Sequence, residues 1–500
     1  DRKRSKPDWD VPQRPRKEAR TYDIPKSDIK VLSGVDGGQE LIEWLKTKRE
    51  AIHAPSGTIE LVRFQKTQKL RKHYQQLCLE KLKWSNVPKS SLNRFLTDQL
   101  LLKRSSSDPL LPVTEDISTT IPEWVKTTRI FQEIEEDYPV KLKPPIQFVK
   151  GWHALKKHIL EYMCGCEEVI KHQAELITPD DKQMLLSINS RLKMLHETNA
   201  SFGQVKQQYD ELRNETKPIL CRILSPKAEE VVTGLLEFCD VAVSDITNSK
   251  SQETEGEPEG IKQTTSALIF QDTQFEITQD ALEKLKSRFQ ANNNGSGSGM
   301  KEIFVVLARY QAFIGDEYGA GGLQAAIPTN VFETLQKEFG VSVECFASPL
   351  NAHCDNFCSA FFDTDAPFGS LGSFFDFYPT RGSFEANPPF CELLMDRMVA
   401  HIHELLGASD EPLSFVVVVP DWRDASSYKA MYDSKFMRAK TIVQGRKHFY
   451  KSGLQHRTRS SNQYYAAVHD SRIFILQNRA GYELWYPSDP KLDALELSFS

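Results

Sequence analysis

The stretch from Gly382 to Leu406 reads GSFEANPPFCELLMDRMVAHIHELL and decides the fold. Its opening residues, Ser383 to Ala386, predict a short strand. The two prolines that follow end regular structure, because proline has no amide hydrogen to donate. Apolar residues then recur at helical spacing from Cys391 to Leu406. The segment therefore predicts a strand, a sharp corner and a helix in immediate succession.

Further predicted strands and helices lie on both sides of this segment. β-Branched and aromatic residues predict strands at Val341 to Phe346, Phe415 to Val419 and Arg472 to Leu476, and a helix is predicted at Val331 to Phe339. Strands that alternate with helices are typical of an α/β domain with a largely parallel sheet. We expect this domain to cover residues 267–500.

The preceding residues have a different pattern. From 36 to 266, apolar residues recur at helical spacing, as in Leu155 to Met163 and Met184 to Leu195, and predict a mostly α-helical accessory domain. Prolines at Pro109, Pro112 and Pro179 predict breaks between its helices.

Three segments lack a regular apolar pattern. Residues 1–35 are rich in Lys, Arg and Pro and predict a disordered basic arm. The acidic run SQETEGEPEG predicts a mobile loop near 248–262. Residues 292–299, NNNGSGSG, have the composition of a flexible linker and the regularity of an engineered one.

Composition limits the functional classes. The net charge of −5 argues against a protein that binds polyanions nonspecifically over its whole surface. The sequence has no apolar run of about 20 residues, the length that a membrane span needs, and no secretory signal is apparent. Nine scattered cysteines predict free thiols, and no metal site is expected, because the candidate ligands lack a second pair at zinc spacing.

The corner carries residue types that suit one reaction. Ligands of open α/β sheets bind at the carboxyl ends of strands, where this corner is expected. An amino group on a heteroaromatic ring is a poor nucleophile, and acceptors for its hydrogens direct its lone pair outward. Asn387 offers a side-chain carbonyl, Pro388 a backbone carbonyl and Phe390 a face for stacking. The alternative interpretation is an ordinary strand-ending turn.

Asn-Pro-Pro-Phe matches the [DNS]-P-P-[YFW] tetrapeptide of amino-methyltransferases that act on adenine, cytosine or glutamine amide. The longer segment FGSLGSFFDFYPTRGSFEANPPFCELLMDRM resembles the vertebrate family of cap-specific adenosine N6-methyltransferases. This resemblance implies a Rossmann-like class I methyltransferase domain. It also implies methyl transfer from S-adenosylmethionine to the N6 amino group of the 2'-O-methyladenosine beside the mRNA cap. The implied catalytic residues are Asn387, Pro388, Pro389 and Phe390.

The same resemblance implies partners. The capped 5' end of mRNA would be the substrate, and the phosphorylated C-terminal domain of RNA polymerase II would bind through an N-terminal WW domain. Because no WW domain is visible in the sequence, we expect a truncated form. The resemblance also implies a nuclear location, and no membrane partner is expected.

The cofactor loop is less clear. The segment VSVECFASPLNAHCDNF follows the first predicted strand but lacks the usual glycines. We predict cofactor contacts from Glu344, Ser348, Asn351 and Asp363. Gly319-Ala-Gly321-Gly322 is a competing glycine-rich turn, although no strand directly precedes it.

A basic segment follows the corner. Between Ser434 and His469 the chain has many Lys and Arg residues, interleaved aromatic residues and no Asp or Glu. This pattern favours RNA contact, although a solvated basic hairpin is the alternative. Trp422 is a candidate for stacking on the cap or for the core. The predicted RNA-binding residues are Arg438, Lys440, Arg446, Lys447, Arg457 and Arg459.

Other functions stay open at this point. The chain could be a noncatalytic RNA- or polymerase-binding scaffold on a methyltransferase fold, as the missing glycine motif would allow. It could also methylate DNA adenine or protein glutamine with the same corner. The intact tetrapeptide argues against the scaffold, and the basic segment argues against the glutamine enzyme.

Overall fold

The computed structural model describes residues 55–84, 89–102, 107–117, 119–132, 134, 152–251, 260–293, 295, 297–315, 324–457 and 463–499. The predicted basic arm, the glycine-rich turn at 319–322 and Arg459 lie outside the described residues. Within them, residues 62–251 form one compact unit, and residues 55–61 with 260–499 form the other. None of the described helices is long and apolar enough to cross a membrane.

The first unit is built from helices, as the apolar spacing predicts. They are α1 (Gly57–Leu82), which begins in the other unit, α2 (Lys89–Leu102), α3 (Ile121–Thr127), α4 (Trp152–His172), α5 (Pro179–Glu197) and α6 (Phe202–Ser251). Helix α5 begins at the predicted proline, and the side chain of Thr178 accepts a hydrogen bond from the Asp181 amide at its first turn. Helix α5 packs against both α4 and α6.

Helix α6 differs from the sequence prediction. It is 50 residues long and continues through Pro218 and Pro226 to Ser251. The bounds of the acidic loop predicted near 248–262 were therefore too wide, because its first four residues are helical, and residues 252–259 lie outside the described residues. Strand β1 also begins at Lys262. Helix α6 is stabilised by a buried apolar face that includes Val231, Leu235 and Cys239, which favours helix despite the prolines.

The second unit opens with a three-stranded antiparallel sheet and two helices. These are β1 (Lys262–Gln263), β2 (Ala267–Phe270), β3 (Thr273–Glu276), α7 (Gln279–Asn292) and α8 (Met300–Ile314). Within the predicted linker, Asn292 is the last residue of α7, and the other described residues lie between α7 and α8. Gly299 has φ +62°, and a Cβ there would lie 2.6 Å from the Phe289 ring, so the turn requires glycine at this position.

The remaining elements surround a six-stranded sheet. In chain order they are α9 (Thr329–Phe339), β4 (Val341–Glu344), β5 (Asn356–Phe357), α10 (Phe362–Asp365), β6 (Gly382–Ala386), α11 (Glu392–Ala408), β7 (Leu413–Pro420), α12 (Ser426–Tyr432), β8 (Met437–Val443), β9 (Phe449–Lys451), β10 (Tyr464–Ala466), β11 (Ser471–Gln477), α13 (Arg479–Leu484) and α14 (Asp489–Ser498). Strands β9 and β10 form a separate antiparallel hairpin.

The strand order of the large sheet is β5-β4-β6-β7-β11-β8. Strands β5, β4, β6 and β7 are parallel, whereas β11 is antiparallel to both of its neighbours. Strand β8 therefore runs in the same direction as β7. The predicted α/β class with a largely parallel sheet is confirmed, and its carboxyl edge includes the ends of β4, β6, β7 and β8.

Both faces of the sheet are covered. On β7, Phe415 and Val417 face one core, which includes residues of α11 and α12. Val416 and Val418 face the other core, which includes residues of α9 and α14. A strand buried on both faces needs apolar residues at successive positions, which explains the uninterrupted run of valines in β7.

Candidate active site

The Asn387–Phe390 corner begins where β6 ends. Every residue of β6 is buried. Asn387 is only 7% exposed, and its Nδ2 donates a long hydrogen bond of 3.5 Å to the Ala325 carbonyl. Its Oδ1 is buried and has no hydrogen-bond partner among the described residues. A buried acceptor without a partner costs free energy, which makes this oxygen a candidate ligand contact.

Phe390 is held by two aromatic side chains. Its ring meets Trp422 edge-to-face at 6.3 Å between centroids, and it meets Tyr450 in the same way at 6.1 Å. Phe390 and Trp422 are both only partly buried. The structure thus places Trp422 beside the corner, whereas the sequence left it open whether this side chain lies in the core or at the site.

Tyr450 is held in turn by a hydrogen-bond chain. Its hydroxyl lies 2.7 Å from Ser471 Oγ, which lies 2.8 Å from His448 Nε2. Tyr450 belongs to the β9–β10 hairpin, and Ser471 begins β11. The hairpin is therefore anchored to the large sheet at the side chain that contacts Phe390.

Glu344 is the last residue of β4 and is fully buried. Its Oε1 accepts hydrogen bonds from the amides of His353 and Cys354, at 2.6 and 2.7 Å. Burial raises the pKa of Glu344 to about 7, although these amides and nearby Arg288 act in the opposite direction. Glu344 therefore lies at the carboxyl edge and shapes the loop that follows it.

The carbonyls of the same loop face helix α7. The Arg288 guanidinium donates to the carbonyls of Ala352, Cys354 and, at longer distances, His353 and Asp355. These bonds hold residues 352–355 from one side, while Glu344 holds them from the other. The loop after β4 is therefore fixed by side chains where methyltransferases usually have glycines.

Ser348 and Asn351 lie together in this loop. The Ser348 amide and hydroxyl both donate to Asn351 Oδ1, at 2.7 and 2.8 Å. Asn351 Nδ2 donates to the Gln324 carbonyl at 3.0 Å. Gln324 directly precedes Ala325, the partner of Asn387, so one chain segment connects the loop with the corner. Cofactor contacts by Ser348 and Asn351 stay predictions.

Asp363 lies in α10 and forms a charged cluster. Both of its carboxylate oxygens accept from Arg309, at 2.8 and 3.0 Å. Arg309 is completely buried and also bonds Glu60 twice. The Asp363 side chain remains 33% exposed. Its carboxylate is therefore paired with Arg309 and does not contact Glu344 or Asn387 in the described structure.

The predicted RNA-binding residues occupy different places. Arg438 lies near the amino end of β8, opposite to the corner, and Lys440 lies over the Tyr432 ring. Arg446 and Lys447 form the exposed turn after β8, at the carboxyl edge. Arg457 bonds Glu276, and Arg459 lies outside the described residues. The structure thus brings only part of the basic segment to the edge that carries Asn387.

One residue at this edge was missed by sequence reasoning. Glu385 is 1% exposed, and its Oε1 has no hydrogen-bond partner among the described residues. It is aligned with Glu344 in the parallel pairing of β4 and β6. The available signal was a charged residue within an otherwise uncharged strand, GSFEA.

A mixed sheet in an α/β unit, with an Asn-Pro-Pro-aromatic corner at its carboxyl edge, fits the class of amino-methyltransferases. Two curated relatives are named mRNA (2'-O-methyladenosine-N(6)-)-methyltransferase, one from Homo sapiens and one from Mus musculus. Each is 30% identical to this chain, and each alignment covers 89% of this chain and 67% of the relative. The chain belongs to this family of mRNA methyltransferases.

A family model described as "Phosphorylated CTD interacting factor 1 WW domain" matches residues 281–453. From the sequence alone, no WW domain is recognised and a truncated form is expected, whereas the description of this matching family model names a WW domain. The matched residues form α7 to β9, which include the corner and four strands of the parallel part of the sheet. The match thus falls on the α/β unit.

Proposed function

We propose that this chain transfers a methyl group from S-adenosylmethionine to the N6 amino group of the 2'-O-methyladenosine beside the mRNA cap. The observation that carries the proposal is the buried Oδ1 of Asn387, an acceptor without a partner among the described residues, three positions before Phe390 in the chain. The names of the two relatives support the same nucleoside and the same nitrogen.

The corner suits this chemistry. Asn387 Oδ1 would accept one hydrogen of the adenine amino group, and the Pro388 carbonyl would accept the other. Their combined effect is to favour the pyramidal nitrogen that the transition state requires. Phe390 would stack on the adenine, and its contacts with Trp422 and Tyr450 would keep the ring in one orientation.

The sheet order supports a Rossmann-like class I domain, with β4 as its first strand and the corner one strand further along the sheet. S-adenosylmethionine supplies a methyl group on a sulfonium. Glu385 Oε1, which is buried and has no partner among the described residues, fits a cationic ligand at this edge. Glu344, Ser348 and Asn351 would hold it through the loop after β4, and Asp363 would take part from α10.

The RNA would lie over the turn after β8 and the β9–β10 hairpin. Arg446 and Lys447 are exposed at this edge, and so are the rings of Phe449 and Tyr464. Lys and Arg pair with phosphates, whereas aromatic rings stack on unpaired bases. The capped 5' end of mRNA is the partner that this combination favours.

The family resemblance extends the proposal to cellular context. We propose a nuclear location and an association with the phosphorylated C-terminal domain of RNA polymerase II. A pull-down with phosphorylated and unphosphorylated repeat peptides tests the association, and microscopy of the tagged protein tests the location. Equal recovery with both peptides would contradict the phosphate dependence.

Initial rates with matched short RNAs test the substrate. The set should contain capped RNAs that begin with 2'-O-methyladenosine, adenosine or guanosine, together with the uncapped adenosine form. We expect the fastest transfer to the capped 2'-O-methyladenosine RNA and none to the guanosine RNA. Equal rates on capped and uncapped RNA would remove the cap from the proposal, and transfer to a glutamine peptide alone would overturn it.

A further inference from the structure

Three polar side chains share one face of β6 and its extension. Ser383, Glu385 and Asn387 alternate along the strand and therefore point to the same side. Each has a buried oxygen without a hydrogen-bond partner among the described residues: Ser383 Oγ, Glu385 Oε1 and Asn387 Oδ1. Burying a polar atom in this way is costly, and the two oxygens at the carboxyl end of β6, on Glu385 and Asn387, indicate an absent ligand, whereas Ser383 lies at the amino end of the strand.

Glu385 lies where the neighbouring strand stops. Glu344 is its aligned partner and the last residue of β4, whereas β6 continues to Ala386. Neighbouring strands are about 4.8 Å apart, so the two carboxyl groups are close. Glu385 is therefore next to the carboxyl end of β4, where a ligand held by the loop after β4 would lie.

The charges around this pair are unbalanced. Burial and then the Glu344 carboxylate raise the pKa of Glu385 well above its ordinary value. Lys284 and Arg288 lie near Glu344, but each donates to loop carbonyls. Both carboxyls of the pair therefore bind a proton more readily than an isolated carboxyl does. The titratable groups that act on the pair are Lys284 and Arg288 of α7, Cys345 and Cys354 of the loop, and Tyr450 of β9.

We propose that Glu385 binds the α-ammonium group of S-adenosylmethionine together with Glu344, and that this binding displaces the proton of the carboxyl pair. The inference rests on the proposed function. An ammonium has three donors, and Glu385 Oε1 is a buried acceptor without a partner among the described residues. The carboxyl O–H bond breaks, its proton passes to solvent, and the ammonium keeps all its hydrogens.

Calorimetry of the full chain with S-adenosylhomocysteine tests this inference without methyl transfer. Titrations at pH 7 in two buffers of different ionisation enthalpy give the number of protons released. We expect about one proton for S-adenosylhomocysteine, as one carboxyl of a coupled pair ionises. We expect none for 5'-methylthioadenosine, which has the same nucleoside but no ammonium.

Glu385→Gln should weaken S-adenosylhomocysteine about tenfold or more, through loss of a charge-assisted contact, and should abolish its proton release. Its affinity for 5'-methylthioadenosine should not change. Glu404→Gln, the same change at an exposed position of α11, is the matched control and should bind both ligands as the unmodified chain does.

Equal proton release with the two ligands would overturn the inference even if the Gln variant failed to fold. So would a folded Gln variant with unchanged affinity for S-adenosylhomocysteine, or one that changed only the KM for RNA. These outcomes leave the methyltransferase proposal intact. Failure of the unmodified chain to bind S-adenosylhomocysteine would overturn both.

Discussion

The side chain of Asn387 has two functional groups in different environments. Its amide nitrogen donates to the Ala325 carbonyl, whereas its oxygen is buried and has no partner in the part of the chain that the structure describes. The Ala325 contact holds the nitrogen of the amide and leaves the oxygen as the group available to a ligand. Asparagine at this position therefore supplies an acceptor in a fixed direction, which is the property that the proposed transition state needs.

Asn387→Ala should lower kcat about 100-fold or more while the KM for RNA changes little, because the lost acceptor acts mainly in the transition state. The thermal midpoint should stay close to that of the unmodified chain. Asn330→Ala, at an exposed position on α9, is the control and should keep normal kinetics. A normal kcat for Asn387→Ala would remove the residue from the mechanism.

Phe390→Ala should lower kcat/KM for capped RNA by about 5- to 150-fold, the range that corresponds to one lost base stack. Phe390→Tyr keeps the aromatic face and should retain most of the activity. Steady-state kinetics on the two variants separates stacking from simple packing. Equal losses in both variants would argue against stacking.

The candidate catalytic residues at the corner could be identified from the sequence, because the four residues of the tetrapeptide are consecutive. Their partners could not. Trp422 and Tyr450 are distant from Phe390 along the chain, and only the folded sheet brings them together. Glu385 was missed for a related reason, since its importance depends on its alignment with Glu344 of another strand.

At the scale of the elements, the loop after β4 is held by hydrogen bonds to side chains and contains no glycine in FASPLN. Arg288 of α7 donates to its carbonyls, and Glu344 accepts from its amides. The segment FASPLN lacks the glycines that are typical of a cofactor loop. In the structure, the loop is instead held from both sides by charged side chains.

Arg288→Ala should loosen this loop. We expect amide hydrogen exchange of residues 351–355 to rise about tenfold and the affinity for S-adenosylhomocysteine to fall by a similar factor, since buried carbonyls lose their donor. Lys286→Ala on the same helix is the matched control, because Lys286 bonds Gln263 instead. Unchanged exchange in the Arg288 variant would show that the loop does not depend on this side chain.

The turn after β8 should contribute to RNA binding, whereas the start of the same strand should not. Lys447→Glu should raise the KM for RNA about 2- to 5-fold at low salt and reduce its salt dependence by roughly one phosphate contact. Lys435→Glu, also exposed but at the opposite end of β8, should leave both unchanged. Equal effects of the two variants would indicate general electrostatic attraction only.

For the whole molecule, fold class could be predicted from sequence but topology could not. Alternating strands and helices predict a largely parallel sheet, and the valines of β7 indicate burial on both faces. The order β5-β4-β6-β7-β11-β8 depends on pairings between distant segments, which local patterns do not encode. In helix α6 the local pattern also fails, because the packing of its buried apolar face stabilises the helix although two prolines interrupt its backbone hydrogen bonds.

Stability of the α/β unit should fall as pH rises. Burial raises the pKa of Asp365 to about 7, above its unfolded value near 4. The folded state therefore binds this proton more tightly, and the resulting stability is lost between about pH 4 and pH 7. Asp365→Asn should reduce the fall in thermal midpoint over this range by ~5 °C, measured by calorimetry. An identical pH profile would contradict the burial of a proton at Asp365.

The most direct measurement is nucleoside analysis of a capped RNA that begins with 2'-O-methyladenosine, after reaction with labelled S-adenosylmethionine. The proposed function predicts that all transferred label appears in N6-methyl-2'-O-methyladenosine, and that Asn387→Ala gives almost none. Label in another nucleoside, or in the protein itself, would contradict the assignment of this corner to adenine N6 chemistry.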